Sequence, residues 1–203
     1  MVQPRTTMRT SITNTAALRC HPETYSDAVH RVEVVVGSTQ NGALVLNYTL
    51  WGDLGRLWIP PLRPPRRGNR LWQHTCFEAF VSVKGKAEYY EFNLAPSGEW
   101  AVYAFRRYRD GSPLEDEGLA PSIIVHSAGD RLDLEAIVQL KYLPEIQPAL
   151  SLRLALSAGI EDDSGSLSYW ALKHPPGKPD FHHPDGFVLE IDAFDDSAYT
   201  GKP

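Results

Sequence analysis

The sequence predicts an all-β protein, an antiparallel β-sandwich of about nine to ten strands. Three observations predict it. Apolar and polar residues alternate with period 2 in one short segment after another, as where Phe77, Ala79, Val81 and Val83 alternate with Glu78, Phe80, Ser82 and Lys84. Turn residues punctuate these segments, among them Asn41-Gly42, Lys84-Gly85-Lys86, Pro96-Ser97-Gly98 and Ala128-Gly129-Asp130. No long stretch carries a helical period, and no repeat of helical or propeller type is present.

The 203 residues suit one domain, and a composition of 42% hydrophobic and 22% charged residues is that of an ordinary soluble globular chain. Residues 26–193 are expected to form the sandwich, between a flexible leader (1–25) and a flexible tail (194–203). The leader holds Arg5, Arg9 and Arg19 without an apolar signal-peptide core, and Met8 competes with Met1 as its start. A net charge of -5 argues against nucleic-acid binding. No apolar run reaches the roughly 18 residues of a membrane span. Cys20 and Cys76 fit no metal spacing and no disulfide framework, which points to a reducing compartment and a cytoplasmic location.

In chain order, Val29–Gly37 and Ala43–Trp51 read as a hairpin across Asn41-Gly42, the first rich in β-branched residues. From Trp51 to Arg70 regular structure is not expected, because Pro60, Pro61, Pro64 and Pro65 lack the N–H that a ladder needs. This loop carries Arg56, Arg63, Arg66, Arg67 and Arg70, with Trp51 and Trp58 beside it. It reads in three ways: a polyproline segment for a protein partner, a basic rim for an anionic ligand, or a solvated cover. A three-strand meander follows, over Phe77–Lys84, Tyr89–Leu94 and Glu99–Tyr108. Further strands are expected at Ser122–Ser127, Arg131–Leu140, Leu150–Ala158, Leu167–Leu172 and Phe187–Ile191. Between the last two lies a loop dense in Pro, Gly and His.

One face of the meander carries Glu78, Glu91, Asn93 and either Tyr103 or Arg107, with Trp72 just before it. Aromatic plates suit the C–H faces of a sugar ring, and carboxylates, amides and cations suit its hydroxyls. The plain alternative is the solvated side of an antiparallel sheet. Glu78 and Glu91 could also serve as the acid and base of a glycosidase. No GxSxG, P-loop or GxGxxG pattern is present. His174, His182 and His183 with Asp180 and Asp185, and the His74/Cys76 pair, match no zinc spacing. Glu115-Asp116-Glu117 lacks the spacing of a calcium loop, so no cofactor is expected.

The run Leu71-Trp72, Cys76-Phe77-Glu78, Tyr90-Glu91-Phe92-Asn93 and Pro96-Ser97-Gly98 resembles the DOMON-like superfamily. Within it the run is most similar to the branch related to family 9 carbohydrate-binding modules. Asp180-Phe181-His182-His183-Pro184-Asp185-Gly186-Phe187-Val188-Leu189 resembles the segment that leads into their last strand. The resemblance implies a non-catalytic domain that binds a carbohydrate or a sugar-containing metabolite, with two tryptophans sandwiching a terminal sugar. It makes Trp72 one plate and Glu78 a hydroxyl acceptor, beside Glu91. Trp170 is the candidate second plate, with Phe181 as its substitute, and Lys84, Asn93 and Lys173 are candidate donors. Some DOMON relatives hold haem through Met and His. Here the methionines are Met1 and Met8, so haem is disfavoured. The alternatives are an intracellular carbohydrate-active enzyme or accessory factor using Glu78 and Glu91, and a protein-interaction module using residues 59–70.

Overall fold

A computed structural model describes residues 10–39, 41–146 and 150–192. Thirteen strands and six short 3-10 turns form the regular structure of these residues, with no α-helix among them. One sheet runs in the order β1 (Thr10–Cys20), β2 (Val29–Thr39), β3 (Leu44–Gly52), β10 (Arg131–Val138), β9 (Ser122–Ala128). The other runs β4 (Arg66–Arg67), β7 (Glu99–Arg107), β6 (Tyr89–Leu94), β5 (Cys76–Val83), β11 (Leu152–Glu161), β12 (Leu167–Ala171). To it β8 (Asp110–Pro113) adds on β7, and β13 (Leu189–Ile191) adds on β11. The sheets are joined through β1, which pairs with β2 from Thr10 to Leu18, with an irregularity between Ile12 and Asn14, and whose last two residues, Arg19 and Cys20, pair with Ala171 and Trp170 of β12.

Two expectations about the strands are corrected. The pairing is not purely antiparallel, because β4 lies parallel to β7 with Arg66 opposite Glu99. Three strands were also not expected: β1, β4 and β8. The first falls inside the expected leader. Of its described side chains only Leu18 is buried, while Ser11, Ile12, Thr15 and Ala17 are exposed, so it shows no strong alternation. Residues 1–9 and 193–203 lie outside the described residues, and with them Met1, Met8 and the expected tail.

The inner faces meet in one core. Val32, Val34 and Val36 of β2, Leu44, Leu46 and Leu50 of β3, and Leu132 and Leu134 of β10 pack with Phe77, Ala79 and Val81 of β5, Phe92 and Leu94 of β6, and Leu154 and Leu156 of β11. These are the residues that the period-2 pattern assigns to one side. Tyr48 of β3 lies 5.0 Å from the Phe77 ring, and its buried hydroxyl donates across the sandwich to the Glu78 carbonyl oxygen at 2.8 Å. That bond satisfies a polar group that would otherwise be costly to bury.

Every residue of β5 is buried, so its outer face is covered as well. The cover is the segment 172–188, between β12 and β13. Phe80, Tyr89, Ala155 and Phe187 form a second apolar cluster there, with Phe105 and Phe181 packed against it. The Arg153 guanidinium donates to the Phe187 carbonyl. His21 Nε2 lies 2.9 Å from the Gly177 carbonyl oxygen, and His174 Nε2 lies 2.8 Å from that of Arg19. The site therefore sits on the outside of the sandwich, between a sheet face and a pinned loop.

Candidate functional site

Strand register brings the polar residues of the outer face together. Glu78 is opposite Asn93, and Glu91 is opposite Phe80 on one side and Tyr103 on the other. Beyond β5, Cys76 is opposite Gly159, and Gly159 is opposite Tyr169. Above this floor is a cavity of about 500 Å³. Glu78 and Glu91 line it from the sheet, with Trp72, Tyr103, Phe105, Arg109 and Tyr169 around them. Lys178, Pro179, Phe181 and His182 close it from the covering segment. A volume of this size suits a small ligand.

Local structure aims the walls. Trp72 stands on the 3-10 turn Leu71–Gln73, which begins after Arg70 in a left-handed conformation with φ +54°. The indole is 40% exposed and meets Tyr103 edge-on at 5.6 Å. Phe105 stacks on Tyr89 at 4.6 Å with an interplanar angle of 4°. Phe181 meets Tyr169 edge-on at 5.8 Å. Arg109, also left-handed at φ +56°, holds the covering segment: its Nη2 donates to Asp180 Oδ1 at 2.8 Å, and the Tyr108 hydroxyl donates to Asp180 Oδ2 at 2.7 Å.

The electrostatics follow from burial. Glu78 and Glu91 are each 5% exposed. Burial, reinforced by the Glu91 charge and opposed by Arg109, holds the Glu78 carboxyl well above the usual range. Burial pushes Glu91 up to about 7, against the Asn93 amide and Arg109. Asn93 Nδ2 donates to Glu91 Oε1 at 2.6 Å. His182 is lowered to about 4, by burial first and then by Arg109. Its Nε2 lies 3.7 Å from Glu91 Oε2. Because His182 loses its proton below the pH at which Glu91 ionises, this contact is not an ion pair. Tyr89 fixes the ring: its hydroxyl accepts from the Arg109 N–H at 3.1 Å and lies 2.9 Å from His182 Nδ1.

Of the residues singled out in the sequence, Trp72, Glu78 and Glu91 line the cavity together, as does Phe181. Asn93 is fully buried beneath them, its amide on Glu91 and its oxygen near Cys76 Sγ at 3.6 Å. Three expected positions lie elsewhere. Trp170 is 6% exposed in the main core, with Nε1 donating to Ser168 Oγ, because register sets it opposite Ala158 and so on the side of Phe77. The aromatic that reaches the cavity from β12 is its neighbour Tyr169. Lys84 pairs with Glu190 at 2.8 Å, and Lys173 pairs with Asp185 at 3.5 Å. Arg107 pairs with Asp110 at the end of β7.

The arginine loop is also more occupied than its sequence suggests. Arg66 pairs with Glu99 at 2.7 Å, Arg56 with Asp27 at 2.7 Å, and Arg67 with Glu117 while lying 4.7 Å from the Trp100 ring. Trp51 lies beneath Arg31, and Trp58 packs on His74. Phe105, Arg109, Tyr169, Lys178 and Pro179 were not singled out in the sequence as ligand contacts. The signal for Phe105 was its parity with Tyr103 on the same strand. Among the described residues no three His, Cys, Asp or Glu side chains gather as a metal-holding group.

No protein-family model matches the sequence, and no curated protein matches it. Solved structures share its architecture. A Bacteroides uniformis protein for which carbohydrate binding is proposed matches with a TM-score of 0.61 at 14% identity, over 86% of this chain and 84% of that one. A family 9 carbohydrate-binding module from Caldicellulosiruptor kristjanssonii, solved with cellotriose, matches with a TM-score of 0.53 at 11% identity, over 88% of this chain and 81% of that one. The fold is that of the family 9 modules. At these identities the likeness is one of backbone.

Proposed function

We propose that the protein is a non-catalytic carbohydrate-binding domain that takes its ligand in the cavity over Glu78 and Glu91. One observation carries the reading: five aromatic side chains, Trp72, Tyr103, Phe105, Tyr169 and Phe181, surround two buried carboxyl groups in a single cavity. The rings supply apolar faces for sugar C–H groups, and the carboxyl groups supply hydrogen-bond partners for hydroxyls. The fold shared with carbohydrate-binding proteins supports the same reading. In this mechanism the sheet face stays fixed, and Arg109 and Asp180 hold the covering segment in place over the ligand.

Intrinsic tryptophan fluorescence titrated with neutral, acidic and amino sugars tests it. A saturable change is expected, and Trp72→Ala should weaken binding by on the order of 1–2 kcal/mol. A response flat to every sugar would sink the proposal.

The raised Glu78 and Glu91 pair favours a second reading, a carbohydrate-active enzyme in which Glu91 is the proton donor. It requires release of new reducing ends from an oligosaccharide, lost in Glu91→Gln.

A further inference from the structure

We propose that the cavity selects a sugar bearing a free ammonium group, which would sit between Glu78, Glu91 and the surrounding rings. The inference rests on the carbohydrate reading and names the class of sugar. Among the described residues no hydrogen bond or ion pair reaches the Glu78 carboxyl, although its residue is 5% exposed and lines the cavity. Glu91 receives the Asn93 amide on one oxygen, and His182 Nε2 stands 3.7 Å from the other, beyond hydrogen-bond range. Arg109, which also lines the cavity, is engaged elsewhere, bound to Asp180 at 2.8 Å and to the Tyr108 hydroxyl at 3.3 Å. Lys178 is exposed.

The floor is thus two carboxyl groups to which, among the described residues, no Lys or Arg is bonded, Arg109 acting on them only at longer range. A neutral sugar can donate hydroxyls to them but brings no cation against which a buried carboxyl group could ionise. An ammonium brings three N–H donors and the missing charge. It would also lie among aromatic faces, which attract cations within about 6 Å. A sugar acid would bring a carboxylate to a site already floored by two buried carboxyl groups, and the loop arginines Arg66 and Arg67 are paired with Glu99 and Glu117. Because the two carboxyl groups hold protons more tightly than free ones, an incoming ammonium displaces a proton to solvent.

Isothermal titration at neutral pH with glucosamine, N-acetylglucosamine, glucose and glucuronic acid decides the matter. Glucosamine should bind at least about tenfold tighter than the other three. Its binding enthalpy should vary with the ionisation heat of the buffer, reporting a released proton. Glu78→Gln, which keeps the shape of the side chain, should bring glucosamine to within about twofold of N-acetylglucosamine. The contrast among ligands on the native protein stands whether or not that variant folds. Equal affinity for glucose and glucosamine overturns the ammonium inference and leaves the carbohydrate reading intact. No heat with any of the four overturns both.

Discussion

Glu91 and His182 lie 3.7 Å apart and pull stability in opposite directions as pH changes. Glu91 binds its proton more tightly in the folded protein, at about 7 against an ordinary 4.5. The stability it contributes is complete below the ordinary carboxylate range and is lost as pH rises to about 7. Glu78, also raised, adds to that decline. His182 is lowered from 6.5 to about 4, so its contribution is complete above the ordinary histidine range and is lost as pH falls toward 4. Urea midpoints against pH check this. The stability of Glu91→Gln relative to the native protein should rise with pH between about 4.5 and 7, and that of His182→Gln should rise as pH falls. Difference curves of the same slope would exclude burial as the common cause. A second contrast separates two neighbours. Trp170→Ala should cost about 3–5 kcal/mol of stability, whereas Tyr169→Ala should chiefly weaken ligand binding. The sequence reading named Trp170, which the structure places in the main core, whereas Tyr169 lines the cavity. Alternation within a strand is local and legible, as it was for Glu78 and Glu91. Which side of β12 faces out depends on its register with β11, and a slip of one residue exchanges Trp170 for Tyr169.

At the scale of elements, the β7–β8 turn and the covering segment work as a pair. Gly111, which follows that turn in β8 and pairs with Phe105, has no room for a methyl group: a Cβ there would lie 2.4 Å from Phe105 Cδ1 and 2.5 Å from the Ala104 carbonyl oxygen. Gly111→Ala should drive Phe105 off Tyr89, cost roughly 1–3 kcal/mol, and weaken ligand binding by moving a cavity wall. Asp180 is the other half of the pair, accepting from Arg109, from Tyr108 and from the backbone N–H of His182 two residues on. Asp180→Ala should raise amide exchange and proteolysis between Pro175 and Pro179 while β5 and β6 stay protected. Equal loss of protection in β5 would mean that the segment and the sheet open as one unit. Neither half was readable beforehand. Arg109 takes a backbone conformation usual for glycine, and the Asp180 contact spans 71 residues. The strands that were missed share this character. The described part of β1 buries only Leu18, and β4 is two arginines behind a proline pair.

For the whole molecule, the sandwich was legible because each sheet keeps an apolar inner face in period 2, and because turns such as that at Gly98, with φ +87°, require glycine. How the sheets join was not legible, since β1 is shared by both. Deleting residues 1–20 should leave two sheets without their common strand and replace one cooperative unfolding transition by a broad one, visible in calorimetry. The same strand sets an order of events during synthesis. Residues 10–18 can pair with β2 as soon as β2 leaves the ribosome. Arg19 and Cys20 must wait for Ala171 and Trp170, which emerge only after ten further strands. The nascent chain therefore carries an unpaired strand end through most of its own translation, at a place where a neighbouring polysome product could add on.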